Sequence, residues 1–231
     1  MASNKLVEKI CGYLIARKEL EGGLYLDESV HAALKKLAGK WEEQMEGLEE
    51  FGRRISGCQK CALWKTRRNF VFGKGNSHAG IVFIGEAPGE EEDLQGLPFV
   101  GRAGKLLDEL LANAGFTYQE IYICNILKCR PPGNRNPQPL EIAQCEPYLW
   151  RQIELVEPKI IVALGKVAAN TLLKNTTAIS QLKKTVYSYR GLPFFITYHP
   201  AYILRNNNYR GELEFDLKKI RGYYQTGKFT V

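Results

Sequence analysis

The alternation of apolar and polar segments along the chain predicts strands and helices in a regular order. Short apolar runs typical of buried strands lie at Ile81–Ile84, Ile121–Ile126, Ile160–Leu164 and Phe194–Tyr198. Helical periodicity marks the segments between them, at 103–114, 139–156 and 166–174. Strands that alternate with helices form a parallel sheet covered by helices on both faces. We therefore predict an α/β fold with a central parallel four-stranded sheet.

The segment before this pattern predicts a helical extension. Apolar residues recur at helical spacing within 4–20 and 28–55, and Gly22-Gly23 separates the two stretches. We accordingly divide the chain into an extension at 1–57 and an α/β domain at 58–231. No candidate site residue falls in the extension, so its plainest role is packing or oligomerisation.

Polar residues stand at the end of each predicted strand. Glu86 lies in the turn that follows the first strand, Asn125 ends the second, Gly165-Lys166 follows the third and His199-Pro200 follows the fourth. Parallel strands end on one edge of a sheet, so these segments should meet in one cleft. A carboxylate in a Gly/Pro turn at that edge usually has a chemical task, and His199 is one of three histidines in the chain.

Four cysteines form a candidate metal site. Cys58 and Cys61 make a C-x-x-C pair, whereas Cys129 and Cys145 stand apart from it. Structural zinc usually takes two short-spaced pairs, so this spacing favours an iron–sulfur cluster, [4Fe–4S] in type, over zinc. Two further cysteines, Cys11 and Cys124, lie in helix-like and strand-like patterns and are interpreted as small buried apolar residues.

Charge and composition restrict the class of protein. The net charge is +7, with −1 on residues 1–57 and +8 on the remainder, which suits a domain that binds a polyanion such as DNA. No apolar run reaches the roughly 20 residues of a membrane span, and the N-terminus has no signal-peptide core. We expect a cytoplasmic protein, nucleoid-associated if prokaryotic, that contacts no membrane and is a monomer.

Several motifs in one order carry a resemblance. They are Gly85-Glu86-Ala87-Pro88-Gly89-Glu90-Glu91-Glu92-Asp93, Gly96-Leu97-Pro98-Phe99-Val100-Gly101, Asn125 before Lys128-Cys129-Arg130-Pro131-Pro132, Asn134-Arg135, and His199-Pro200-Ala201-Tyr202 before Leu204-Arg205-Asn206. With the four cysteines, they resemble the family 4 uracil-DNA glycosylases, the iron–sulfur members of their superfamily. The resemblance runs from about Cys58 to the C-terminal helix and leaves 1–57 outside it.

The resemblance implies a hydrolase that flips uracil out of DNA, cleaves its N-glycosidic bond and so initiates base excision repair of deaminated cytosine. Phe99 would stack on the base, Asn125 would read its edge, and His199 would donate to O2 of the departing uracil. Glu86 would stabilise the sugar cation and orient water, helped by Asn134. Ala87 belongs to the same uracil-binding turn. Glu92 either shares the role of Glu86 or lines the pocket near C5.

Two other expectations concern DNA contacts and turnover. The segment Tyr202-Ile203-Leu204-Arg205 follows His199 and would wedge into the duplex and hold phosphates, with Tyr202 and Arg205 as the DNA-binding residues; plain packing of a helix start is the alternative. The loop Pro131–Pro137 lacks the histidine by which a related branch traps DNA covalently, so we expect hydrolysis with turnover. The competing classes are a non-catalytic iron–sulfur DNA-binding module and a redox protein that uses the cluster as an electron carrier.

Overall fold

The protein is described by a computed structural model over residues 46–228, and the remaining residues lie outside this description. The strands are β1 (Lys74–Gly75), β2 (Ile81–Gly85), β3 (Ile121–Asn125), β4 (Ile160–Leu164), β5 (Tyr187–Tyr189) and β6 (Leu192–Thr197). The helices are α1 (Leu48–Ile55), α2 (Glu90–Gln95), α3 (Arg102–Asn113), α4 (Pro139–Val156), α5 (Lys166–Leu173), α6 (Ile179–Leu182), α7 (Pro200–Arg205) and α8 (Arg210–Thr226).

The six strands form one mixed sheet in the order β1-β3-β2-β4-β6-β5. The strands β2, β3, β4 and β6 run parallel to their neighbours in this group. The two edge strands, β1 and β5, are antiparallel to β3 and β6. The prediction of a four-stranded parallel sheet is therefore corrected to a six-stranded mixed one. The edge strands escaped prediction because they are two and three residues long and lack an apolar run.

Both faces of the sheet are covered because successive strand residues point to opposite sides. Val82 and Ile84 of β2 belong to the core beneath helices α4 and α5. Ile81 and Phe83 belong to the core beneath helices α3 and α8. All five residues of β2, β3 and β4 are buried, as expected for central strands packed on both faces. The α/β architecture with helices on both faces agrees with the sequence prediction.

The chain divides into two compact units, Met1–Glu46 and Gly47–Val231. Helix α1 belongs to the second unit, where Leu48, Phe51 and Ile55 are buried and Phe51 packs edge-on against Phe72. The predicted helices within residues 4–46, together with Cys11, lie outside the described residues. Across 46–228, no helix combines the length and apolar character that crossing a membrane would require.

Candidate active site and cysteine site

The carboxyl ends of the parallel strands bring three predicted site segments to one edge. Gly85 at the end of β2 pairs with Asn125 at the end of β3. Beyond these ends the two chains stay joined, since Ile126 N donates to Gly85 O at 3.0 Å and Leu127 N donates to Glu86 O at 3.1 Å. On the other side, β4 runs beside β6, and His199 follows β6. The shared edge arises from parallel pairing, as the sequence predicted.

Asn125 ends strand β3 at this edge, and its side chain is uncommitted. It is only 2% exposed, yet no group within residues 46–228 hydrogen-bonds to its amide. A Cβ atom added to Gly85 would collide with the Asn125 Oδ1 and would come within 2.8 Å of the Phe99 ring. Glycine is therefore required at 85 so that the amide and the aromatic ring can both approach the strand end.

Phe99 is held in position by its backbone. Its φ is 52°, a left-handed conformation that costs energy for a residue with a side chain. The Lys74 ammonium donates to the Phe99 carbonyl at 3.0 Å. The ring is 5% exposed and its centroid lies 5.5 Å from that of His199, with 30° between the ring planes. A planar base placed against this ring would also lie near His199.

Glu92 has both carboxylate oxygens occupied by backbone donors. Oε1 accepts from the N–H groups of Val100 and Gly101 at 2.9 Å each, and Oε2 accepts from Gly89 N at 3.1 Å. Gly89 and Gly101 are the residues that immediately precede helices α2 and α3. The Glu92 carboxylate thus joins the starts of two helices and fixes the loop that carries Phe99.

Glu86 differs from Glu92 because its carboxylate is uncommitted. No side chain or backbone N–H in the described part of the chain hydrogen-bonds to it. Burial raises the pKa of Glu86 above its ordinary value. Ala87, the next residue, is half-buried and packs against the core on the α4 side of the sheet. Of the two carboxylates that the sequence left unresolved, Glu86 is the one available to a ligand.

His199 is held as the neutral imidazole. It precedes helix α7, and its Nδ1 accepts from Ala201 N at 3.1 Å, so the ring proton lies on Nε2. Burial is the main cause that lowers the pKa of His199 to about 4; Arg205 lowers it further, and Glu92 opposes both. Gly165 allows the ring to approach β4, because a Cβ atom there would lie 2.8 Å from the His199 Cβ. The side chain presents a neutral N–H donor at the strand edge.

Asn134 lies in the exposed loop after β3 and does not hydrogen-bond to Glu86. Its Oδ1 accepts from Arg130 Nε at 2.8 Å, and Arg130 also approaches Glu90 at 3.5 Å. The following residue, Arg135, pairs with the buried Glu141 through contacts of 2.6 and 2.9 Å. The loop is thereby tied to α4. The amide nitrogen of Asn134, rather than its oxygen, is therefore the group left free for a ligand.

The residues that follow His199 divide into packed and exposed ones. Tyr202 stacks on Tyr198 at 5.4 Å with 18° between the rings, and it also contacts Tyr209 at 5.4 Å. Arg205 is exposed, and Leu204 beside it is 42% exposed. The Tyr202 ring thus packs within an aromatic cluster, whereas the Arg205 side chain is exposed. Leu204 belongs to the segment that the sequence predicts to wedge into the duplex, and the structure leaves its side chain exposed.

The four predicted cysteines come together in one pocket, between the turn at 58–61, the loop after β3 and helix α4. Cys129 and Cys145 are buried, Cys58 and Cys61 are half-buried, and none forms a disulfide. Hydrogen-bond donors face three of the sulfurs: Arg67 on Cys129 at 3.2 Å, Tyr148 on Cys58 at 3.3 Å, and the Lys128 backbone on Cys145 at 3.3 Å.

Donors of this kind surround thiolates that bind metal. Burial raises the pKa of Cys145 to about 12, so a bound cation would be needed to hold that sulfur as thiolate. The residues present thus fit a metal cluster ligated by four sulfurs. Among residues 46–228, no group of three or more His, Cys, Asp or Glu side chains is arranged to hold a single metal ion. Cys124 is fully buried in the core, as predicted.

Comparison with known proteins agrees with this geometry. Residues 72–219 match the family model described as "Uracil DNA glycosylase superfamily". The chain is 47% identical to the type-4 uracil-DNA glycosylase of Archaeoglobus fulgidus, over 76% of this chain and 92% of that protein. It is 44% identical to the type-4 enzyme of Thermotoga maritima, over 79% of this chain and 95% of that protein. These matches place the chain in the uracil DNA glycosylase superfamily, among the type-4 enzymes.

Proposed function

We propose that this protein releases uracil from DNA by hydrolysing the N-glycosidic bond, which initiates base excision repair. The observation that carries the proposal is the uncommitted Asn125 amide, enclosed at the strand edge beside the Phe99 ring. The Asn125 amide makes no hydrogen bond within residues 46–228, so both its oxygen and its nitrogen are available to a ligand at the strand edge. The type-4 relatives are uracil-DNA glycosylases by name, which supports the same substrate.

Base recognition rests on Asn125 and Phe99. The Asn125 oxygen accepts from N3–H of uracil and its nitrogen donates to O4, whereas cytosine presents the reverse pattern at these positions. Phe99 stacks on the flipped base. The Glu92 carboxylate holds the Phe99 loop through Val100 and Gly101 rather than touching the base. Ala87 forms part of the turn that lies against the base.

Bond cleavage rests on His199 and Glu86. The Nε2–H group of neutral His199 donates to O2 as negative charge develops on the departing uracil, which is stabilisation of the oxyanion type. The sugar becomes an oxocarbenium-like cation, which the Glu86 carboxylate stabilises while it accepts a hydrogen bond from the attacking water. Asn134 assists through its free amide nitrogen. The products are free uracil and an abasic site.

DNA binding rests on the positive main domain and on the rim near helix α7. Arg205 contacts a phosphate, and the exposed Leu204 is available to fill the space that the flipped base leaves. Tyr202 supports this helix through its stacking on Tyr198. We propose that the protein is a cytoplasmic monomer and that its helical extension precedes Gly47, because helix α1 belongs to the same unit as the glycosylase-like domain.

We propose that Cys58, Cys61, Cys129 and Cys145 hold a [4Fe–4S] cluster. When bound, such a cluster ties together the chain segments that supply its ligands. The four sulfurs in one pocket and the donors aimed at three of them support this assignment. The pocket lies between the C-x-x-C turn and the loop that follows Asn125. The bound cluster would therefore mainly stabilise the fold beside the active site.

A uracil-release assay tests the proposed function. The protein is incubated with a labelled duplex that contains one U·G pair, and abasic sites are then cleaved with alkali. We expect strand breaks at uracil and none in the matched C·G duplex. A Glu86→Gln variant controls for contaminating activity. If the purified, iron-loaded protein binds DNA but gives no breaks, it is a non-catalytic DNA-binding module. Reversible reduction of the cluster without breaks would indicate an electron carrier.

A further inference from the structure

Lys128 is a fully buried lysine next to the active site, and the proposed chemistry does not use its side-chain amine, although its backbone N–H faces Cys145. Its side chain is 0% exposed, and it lies three residues beyond Asn125 in the segment after β3. No carboxylate within residues 46–228 forms an ion pair with it. A lysine amine in such a position carries a large desolvation cost, so a specific interaction must justify it.

That interaction is a hydrogen bond to the backbone of the base-reading residue. Lys128 Nζ donates to the Asn125 carbonyl oxygen at 2.7 Å. Both the charged and the neutral form of a lysine amine carry N–H donors, so this bond does not depend on the protonation state. This hydrogen bond links two residues that lie three positions apart in the segment after β3, so it restrains the Asn125 peptide locally.

The backbone of Lys128 extends the connection to two other segments. Its N–H donates to Cys145 Sγ at 3.3 Å. Its carbonyl accepts from Val71 N at 2.8 Å. One residue therefore fixes the end of β3 relative to helix α4 and to the segment before β1. In contrast, the Asn125 side chain has no hydrogen bond of its own within the described residues, so its position depends on its backbone.

We propose that Lys128 is a positioning residue for uracil recognition: its buried amine holds the Asn125 peptide so that the side-chain amide meets the uracil edge. This inference rests on the proposed function. It predicts a defect in uracil binding and base discrimination, with the cysteine site intact. A purely structural lysine would change thermal stability and leave discrimination unaltered.

The test compares Lys128→Met with the wild-type protein and with Lys218→Met. Methionine keeps the length and apolar volume of the side chain but removes the donor, whereas Lys218 is an exposed lysine on α8. The measurements are kcat/KM on a U·G duplex, inhibition by free uracil, release of uracil relative to cytosine, and iron per chain. All are made below the melting temperature of each variant.

We expect Lys128→Met to lose roughly tenfold in kcat/KM and a similar factor in affinity for free uracil, about 1.4 kcal/mol, because the Asn125 carbonyl is left unpaired. Iron content should stay at the wild-type value, and Lys218→Met should resemble the wild type. Lys128→Gln retains an N–H donor on a shorter side chain, so its kcat/KM and its affinity for uracil should lie between those of Lys128→Met and the wild type. If Lys128→Met does not fold, the same comparison is made with Lys128→Gln.

Three results would overturn the proposal. One is unchanged uracil affinity and discrimination in the variant. Another is a loss of iron that parallels the loss of activity, which would assign Lys128 to the cysteine site. The third is absence of uracil release by the wild-type protein, which would remove the proposed function itself. If the wild-type protein releases uracil and Lys128→Met has the same uracil affinity and base discrimination, the positioning role is contradicted and the proposed function stands.

Discussion

Glu86 links burial to the pH dependence of catalysis. Burial raises the pKa of its carboxyl above 4.5, and the proposed role needs the ionised form. As pH falls through the raised pKa, the carboxylate takes up a proton, so kcat/KM should fall with a midpoint above 4.5. Glu86→Gln should lose at least ~100-fold in rate and should lack this acid limb, measured by single-turnover uracil release.

The contribution of Glu86 to folding stability should depend on pH in the opposite sense to its contribution to the rate. Because the folded protein binds this proton more tightly than the unfolded chain, the group contributes most to stability below pH 4.5. That contribution is lost as pH rises through the folded-state pKa. Glu86→Gln should therefore melt at an equal or higher temperature than the wild type at neutral pH. A lower melting temperature at that pH would mean that the carboxylate is a structural group.

His199 should affect the rate far more than DNA binding. Its Nε2–H bond to uracil strengthens only as charge develops on the base, so His199→Ala should slow release by ~100-fold or more while the dissociation constant for DNA changes little. The histidine also precedes α7 and accepts from Ala201 N. His199→Asn retains an acceptor for that N–H but lacks Nε2, and it should be as slow as His199→Ala with less loss of stability.

Asn125 should decide which base is released. Asn125→Asp removes the donor to O4 and should abolish most uracil activity. A carboxylate can accept from cytosine N4 and, when protonated, donate to N3, so weak cytosine release should appear at lower pH. Phe99→Ala is the control, because stacking does not depend on the edge pattern; it should reduce uracil release without changing the preferred base. Wild-type selectivity in Asn125→Asp would place base recognition elsewhere.

At the scale of elements, the cysteines connect a turn, a loop and a helix. Anaerobically purified protein should be brown and carry about four irons per chain. Replacing Cys145 of α4 by alanine should remove iron and lower the melting temperature, because the turn at 58–61 and the loop at 129 lose their common attachment. Cys124→Ala is the matched control, a buried cysteine outside the site that should keep its iron. Stoichiometric zinc in a colourless protein would contradict the assignment.

At the scale of the whole molecule, charge should dominate DNA binding. Residues 1–46 hold seven Lys/Arg and eight Asp/Glu, so the remainder carries +8. Affinity for DNA should fall log-linearly with salt, and a protein that begins at Gly47 should show the same slope. Gly47 is the suitable point of truncation because helix α1 packs with the main unit. A much smaller slope in the truncated protein would place the DNA surface on residues 1–46.

The pattern of residue types was enough to predict the central strands and the edge at which they end. Runs such as Ile81–Ile84 and Ile160–Leu164 are buried on both faces, so their hydrophobicity alone identifies them. The parallel order followed from the alternation with helices, and it placed Asn125, Glu86 and His199 on the same edge. These features are local or follow from chain topology, and a pattern of residue types is enough to predict them.

The use of individual polar atoms depends on the fold and could not be predicted from residue types. Glu86 and Glu92 are alike in sequence, but three backbone N–H groups, three to nine residues away along the chain, occupy Glu92 and none occupies Glu86. Lys128 appears in the sequence only as part of a motif beside Cys129, whereas the fold buries it and directs its amine to the Asn125 carbonyl. The edge strands β1 and β5 form because partners offer them hydrogen bonds, not because of their own composition. Such assignments depend on the backbone geometry that brings particular atoms within hydrogen-bonding distance, and the pattern of residue types does not specify that geometry.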